Sequence, residues 1–93
     1  MRPPLASWMT PADRAILERL WNEGNDELVL TPALIAENTD YARTTVREHI
    51  LKLRDHGLIE YHDKERAIYR LTQKGRAYLA GEIDVDELED IGE

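Results

Sequence analysis

The sequence predicts a small α+β fold, mainly helical with a single β-hairpin, and three observations predict it. Thr10-Pro11 and Thr31-Pro32 each read as a helix cap followed by a first helical residue. A longer stretch, residues 42–55, places Val46, Ile50 and Leu53 four and three apart, the period of a helix with one buried stripe. Two runs rich in β-branched and aromatic residues, Leu58–Tyr61 and Ala67–Leu71, flank a polar loop of hairpin length. With 93 residues the chain is expected to form one domain with a thin core, residues 8–81, followed by an acidic C-terminal segment, residues 82–93.

The elements follow in order. Thr10 caps and Asp13 places an acid in the first turn, facing the helix dipole. Ala12, Ile16, Leu17, Leu20 and Trp21 then recur at helical spacing, and Gly24 is expected to stop the helix. Leu28-Val29-Leu30 is too short for a helix and reads as one short strand. Thr31-Pro32 opens a short helix through Leu34, Ile35 and Ala36 to about Asn38. Thr39-Asp40-Tyr41 is a turn, and the longer helix runs from about Ala42 to Asp55, ended by Gly57. The hairpin follows, with His62–Arg66 as its loop. Thr72 caps another helix carrying Ala77, Tyr78 and Leu79, closed by Gly81, and Asp84 could cap a last acidic turn bearing Val85, Leu88 and Ile91. Helix, strand, helix, helix, strand, strand, helix is the order of a winged helix-turn-helix.

Composition excludes several kinds of chemistry. No cysteine means no disulfide, no Cys-ligated zinc and no thiol catalysis. The chain has no apolar run able to span a bilayer and no secretory signal, so a cytoplasmic protein without membrane contact is expected. His49 and His56 are two turns apart, too far to share a tetrahedral metal, and Ser7 is the only serine. His49 falls beside the buried stripe, where a hydrogen-bonded packing role is expected. No enzyme activity, metal or cofactor is expected.

Charge is unevenly distributed along a chain of net −7. Residues 1–40 carry a net −4, residues 41–80 a net +4, and residues 81–93 a net −7 with no cation. A basic block in an acidic chain points to an anionic partner. Nine of the twelve cations are Arg. Excess acid with scarce Lys resembles the cytoplasmic proteins of salt-in halophilic archaea, in which concentrated salt screens the self-repulsion of an acidic fold; an ordinary acidic protein with a solvated tail is the alternative.

Inside the basic block, Arg43, Arg47 and Arg54 project within about 40° of one another on the long helix. Thr44 and Glu48 continue that surface, and Val46, Ile50 and Leu53 are expected on the opposite flank. Such a helix has one side for the core and one for double-stranded DNA, because Arg can hold guanine O6 and N7 with two bonds; a solvated charged face has the same pattern. The helix N-terminus also offers backbone N–H groups to a phosphate.

These residues carry a family resemblance. Ile35-Ala36, Arg43-Thr44-Thr45-Val46, Leu53 and Gly57-Leu58-Ile59 stand as in the MarR/ArsR-type winged-helix repressors. Leu71-Thr72-Gln73-Lys74-Gly75-Arg76 is similar to the segment after the wing in the same families. Trp8-Met9-Thr10 and Tyr78–Asp84 resemble the haloarchaeal proteins related to the phage phiH repressor. The resemblance implies a sequence-specific DNA-binding transcriptional regulator, a repressor, with Arg43, Thr44 and Arg47 reading bases and Thr45 and Arg54 meeting phosphate. Two positions depart from the pattern. Asp40 replaces a turn glycine, tolerable because Asp visits left-handed conformations, and Ala42 replaces the usual Ser or Thr cap, leaving Asp40 or Thr39 to supply it. Glu48, where many relatives are basic, could accept from a cytosine N4, repel wrong sequences, or pair with Lys52. Lys64 and Arg66 at the hairpin tip read either as phosphate contacts or as a solubilising edge. Tyr61 and Tyr69 are expected to pack, and Trp8 and Trp21 to serve core or subunit interface.

One recognition helix reads few base pairs, so a homodimer is expected, closed by Leu5, Trp8 and Met9 with Ile83, Val85, Leu88 and Ile91. The rival is a winged helix used only as a protein-interaction module through its acidic surface.

Overall fold

The computed structural model describes residues 4–84. Val85, Leu88 and Ile91, with the rest of the acidic segment, lie outside the described residues.

Helix α1, Pro11–Trp21, begins as the sequence dictates, with proline in the first turn. Its acid does more than face the dipole: Asp13 accepts from the backbone N–H of Thr10 at 2.8 Å and from the Thr10 hydroxyl at 3.2 Å. The helix ends two residues before Gly24, at Asn22, which adopts the left-handed conformation itself with φ 50°. Asn is one of the few side chains that tolerate this region. Leu28-Val29-Leu30 does not form a strand of its own. Only Leu30 pairs, exchanging backbone hydrogen bonds of 3.0 and 2.8 Å with Tyr69, while Val29 points to solvent.

Helix α2, Pro32–Glu37, is capped by the Thr31 hydroxyl, which accepts from Leu34 N at 3.2 Å. Helix α3, Arg43–Asp55, follows the turn. Asp40 is not in the left-handed region, so this turn has no need of the glycine it replaces. Neither Asp40 nor Thr39 caps α3: the Thr39 hydroxyl accepts from Tyr41 N instead, at 3.4 Å.

The hairpin pairs β1, Ile59–Asp63, with β2, Ile68–Leu71, in antiparallel register Ile59↔Leu71, Glu60↔Arg70 and Tyr61↔Tyr69. A bulge between Tyr61 and Asp63 lets Asp63 face Ile68. Ala67, expected to open the second strand, instead belongs to the turn with φ 54°. Helix α4, Gln73–Leu79, starts at Thr72, whose hydroxyl accepts from Gly75 N at 3.0 Å. Gly75 is a packing requirement: a Cβ there would run into the carbonyl oxygen of Leu58.

One core joins these elements. Ile16, Leu17 and Leu20 of α1 meet Ile35 of α2, then Val46, Ile50 and Leu53 of α3, with Leu58, Ile59, Leu71 and Tyr78 closing the far side. The N-terminal residues expected at a subunit interface are used here. Ala6 and Met9 are buried, Leu5 and Trp8 pack on the same core, and the Tyr78 hydroxyl donates to Pro4 O at 2.8 Å. Trp21 and Ile83 are likewise packed against it. None of the helices among the described residues is long and apolar enough to cross a membrane.

Candidate nucleic-acid interface

Three elements hold the site: α3 carries the side chains, α1 fixes one of its flanks, and the hairpin fixes the other. The α1 contact is polar. Asp13, fully buried, sits 2.8 Å from His49 Nδ1 and 3.5 Å from Lys52 Nζ. Lys52 also donates to Trp8 O at 3.0 Å, and the Trp8 ring stacks on His56 at 3.7 Å between centroids. Buried carboxylates persist when their lone pairs are filled by donors and cations, as here. His49 thus has the packing role its position predicts. Lys52 is taken by α1 and the N-terminal segment, so Glu48 does not pair with it.

The hairpin contact explains where the arginines lie. At about 100° per residue, Ile50 is within about 60° of Arg43, Arg47 and Arg54, so the arginine row borders the buried stripe and does not oppose it. The structure follows that geometry. Arg54, half-buried, donates from Nη1 to the Tyr61 hydroxyl at 3.0 Å, with its guanidinium 5.3 Å from the ring centroid. Tyr61 stacks on Tyr69 at 4.8 Å. The Tyr69 hydroxyl hydrogen-bonds to that of Tyr61 and, with the Arg54 charge, pulls the Tyr61 pKa below the ordinary phenol value. Burial, and then the bond to Tyr61, push Tyr69 up to about 12. The wing is thereby tied to the C-terminal half of α3.

The face opposite the core presents Thr44, Glu48, Leu51 and Asp55, all exposed, with exposed Arg43 and Arg47 along the wing side. Thr45 is half-buried. Arg43, Arg47 and Glu48 make no hydrogen bond or ion pair among the described residues. The structure therefore brings Arg43, Thr44, Arg47 and Glu48 onto one free surface and withdraws Arg54 from it. Leu51, 50% exposed at the middle of this face, is the side chain that sequence reasoning passes over. Its signal was available: an apolar residue off the buried stripe of an amphipathic helix. An exposed aliphatic group there can meet a thymine methyl.

At the hairpin turn Lys64, Glu65 and Arg66 are all exposed. Asp63 Oδ1 accepts from Arg66 N at 3.3 Å and its other oxygen lies 3.6 Å from Arg66 Nε. Lys64 is left uncommitted. Among the described residues no cluster of three or more His, Asp or Glu could hold a metal ion.

Comparison with known proteins identifies the family and the fold. The family model for the winged helix-turn-helix phage repressor matches residues 1–91. The chain is 42% identical over 84 residues to a repressor protein of Halobacterium phage phiH, spanning 88% of this chain and 91% of that relative. The crystal structure of a PhiH1 repressor-like protein from Haloarcula marismortui is similar with a TM-score of 0.70 and 35% identity, covering 91% of each chain.

Proposed function

The chain belongs to the winged helix-turn-helix phage repressor family, and from that premise we propose how it acts as a DNA-binding repressor: α3 lies in the major groove with Arg43, Thr44, Arg47, Glu48 and Leu51 toward the base edges. The observation that carries this reading is the free surface of α3, where two guanidinium groups stand without a partner among the described residues beside a helix start with no side-chain cap. Uncapped N–H groups there are open to a phosphate. Arg43 and Arg47 are suited to bidentate contact with guanine, and Glu48, with no cation beside it, to cytosine N4. Lys64 and Arg66 would meet the backbone from the wing. Arg54 acts indirectly, by holding Tyr61. An interaction module that ignores DNA is not favoured, because its acidic surface gives no account of unpaired arginines on an exposed helix. The protein would work as a cytoplasmic regulator without catalytic residues.

A homodimer belongs to the same reading, since two half-sites one turn apart give the specificity that one helix lacks. With Leu5, Trp8 and Met9 folded on their own core, the interface would fall to the C-terminal segment; deleting residues 85–93 should lower the mass measured by light scattering.

The test of the site is a selection of duplexes from random DNA in molar KCl, followed by anisotropy titration of the best one. Arg43→Ala or Arg47→Ala should each weaken binding by roughly 5- to 150-fold, equivalent to about 1–3 kcal/mol. Lys64→Ala should weaken all sequences alike. Folded Arg variants that bind their best duplex as the parent does would show that α3 is not the reading element.

A further inference from the structure

A half-open groove of about 450 Å³ lies between the start of α2, the middle of α3 and the hairpin turn. Its floor is apolar, built from Pro32, Ala33, Ile50, Ala67 and Tyr69. Leu51, half-exposed, forms part of its wall. Arg47 and Arg66 also line it, and no acidic side chain does. Arg47 has no ion pair among the described residues, and Arg66, 78% exposed, is held only by Asp63 at 3.6 Å.

Those features define a ligand class. A volume of this order suits a small molecule. An aromatic or branched hydrocarbon would cover Ile50, Leu51 and Tyr69, and a carboxylate would satisfy the planar guanidinium groups at the edge with paired hydrogen bonds. A helix from a second copy would need a longer apolar trough. DNA phosphate could meet the arginines but carries nothing to cover the floor. We propose that this groove binds a small amphipathic organic anion, and that its occupancy excludes DNA by engaging Arg47 and Arg66. The binding claim stands on the groove alone; the exclusion rests on the proposed DNA contact of α3 and the wing.

The probe is 2-naphthoate, with the neutral 2-naphthamide as its control, in molar KCl. Methyl resonances of Ala33, Ile50, Leu51 and Ala67 should shift on titration with naphthoate, with a dissociation constant on the order of 0.1–1 mM for a ligand of this size. Naphthamide should bind at least tenfold more weakly. Ala33→Leu, which fills the floor from α2, and Leu51→Gln, at a position exposed enough to tolerate it, should each weaken naphthoate at least fivefold. Absence of methyl shifts, equal binding of the amide, or unchanged binding in both variants would overturn the site. These measurements contain no DNA, so they stand apart from any failure of the DNA-binding reading. In a second arm, saturating naphthoate should raise the dissociation constant of the selected duplex at least threefold; an unchanged value with the groove occupied would overturn the exclusion.

Discussion

Replacing Asp13 by Asn removes one charge and keeps the shape, which isolates what the buried carboxylate does. In the folded chain it accepts from the Thr10 backbone and hydroxyl and faces His49 and Lys52 on α3. Breaking a buried pair by removing one partner costs about 3–5 kcal/mol when the other charge stays buried. Here that figure is too large, because the side chains of His49 and Lys52 are 17% and 34% exposed and can regain water. About 1–2 kcal/mol remains for the ion pairs, and the weakened start of α1 adds about 1 kcal/mol. The expected loss is about 2–3 kcal/mol, a large share of the roughly 5–15 kcal/mol that stabilises a domain of this size. Urea unfolding in molar KCl, followed by circular dichroism, measures it, with an unchanged denaturant slope as the sign of a simple stability effect. A double-mutant cycle with Lys52→Met should return a coupling of about 0.5–1 kcal/mol. Were Asp13→Asn to unfold within about 0.5 kcal/mol of the parent, the carboxylate would not be what fastens α3 to α1.

Three further outcomes follow from the same geometry. Gly75→Ala should destabilise by about 1–3 kcal/mol or prevent folding, because α4 would have to retreat from the Leu58 carbonyl; urea unfolding reads this directly. Tyr69 keeps its proton in the folded state up to about 12. Its stabilising contribution is therefore intact below the unfolded value of 10.0 and is lost as pH rises through about 12. Burial raises Tyr78 as well, so ultraviolet titration should show two late tyrosinates, of which Tyr69→Phe removes one. With a net charge of −7, the fold should melt at higher temperature in molar KCl than in dilute buffer; a flat or falling melting temperature would remove the salt-adaptation reading.

Local chemistry was legible in the sequence, and long-range partners were not. Both Thr-Pro starts, the buried stripe of α3, the hairpin and the Thr72 cap follow from neighbours a few residues apart, and the structure has them. Leu28–Leu30 failed as a strand because a strand needs an edge to pair with, and only Leu30 reaches Tyr69. The helix stop moved to Asn22 since Asn adopts the left-handed conformation two residues before the glycine. Glu48 and Lys52 have the spacing of a helical ion pair, yet Lys52 answers to an acid 39 residues away in α1. Helical projection grouped the three arginines on one strip. It carried no information about the hairpin packed beside that strip, which is why Arg54 turned out to belong to Tyr61.

The partners already held by cations of the basic block change what its charge is worth to a nucleic acid. Arg66, Arg70 and Arg76 already face Asp63, Glu60 and Glu27, Lys52 faces Asp13, and Arg54 is bonded to Tyr61. Of the nine cations in residues 41–80, Arg43, Arg47, Lys64 and Lys74 remain without such a partner among the described residues, and exposed Arg66, 3.6 Å from Asp63, can exchange that partner for a phosphate. Each phosphate neutralised on a duplex releases about 0.9 of a condensed counterion, and that release is the part of the affinity that added salt removes. A protomer with so few spare cations has little of this entropy to lose. Its grip on DNA should fall only gently with ionic strength, leaving hydrogen bonds and shape to carry recognition in concentrated salt.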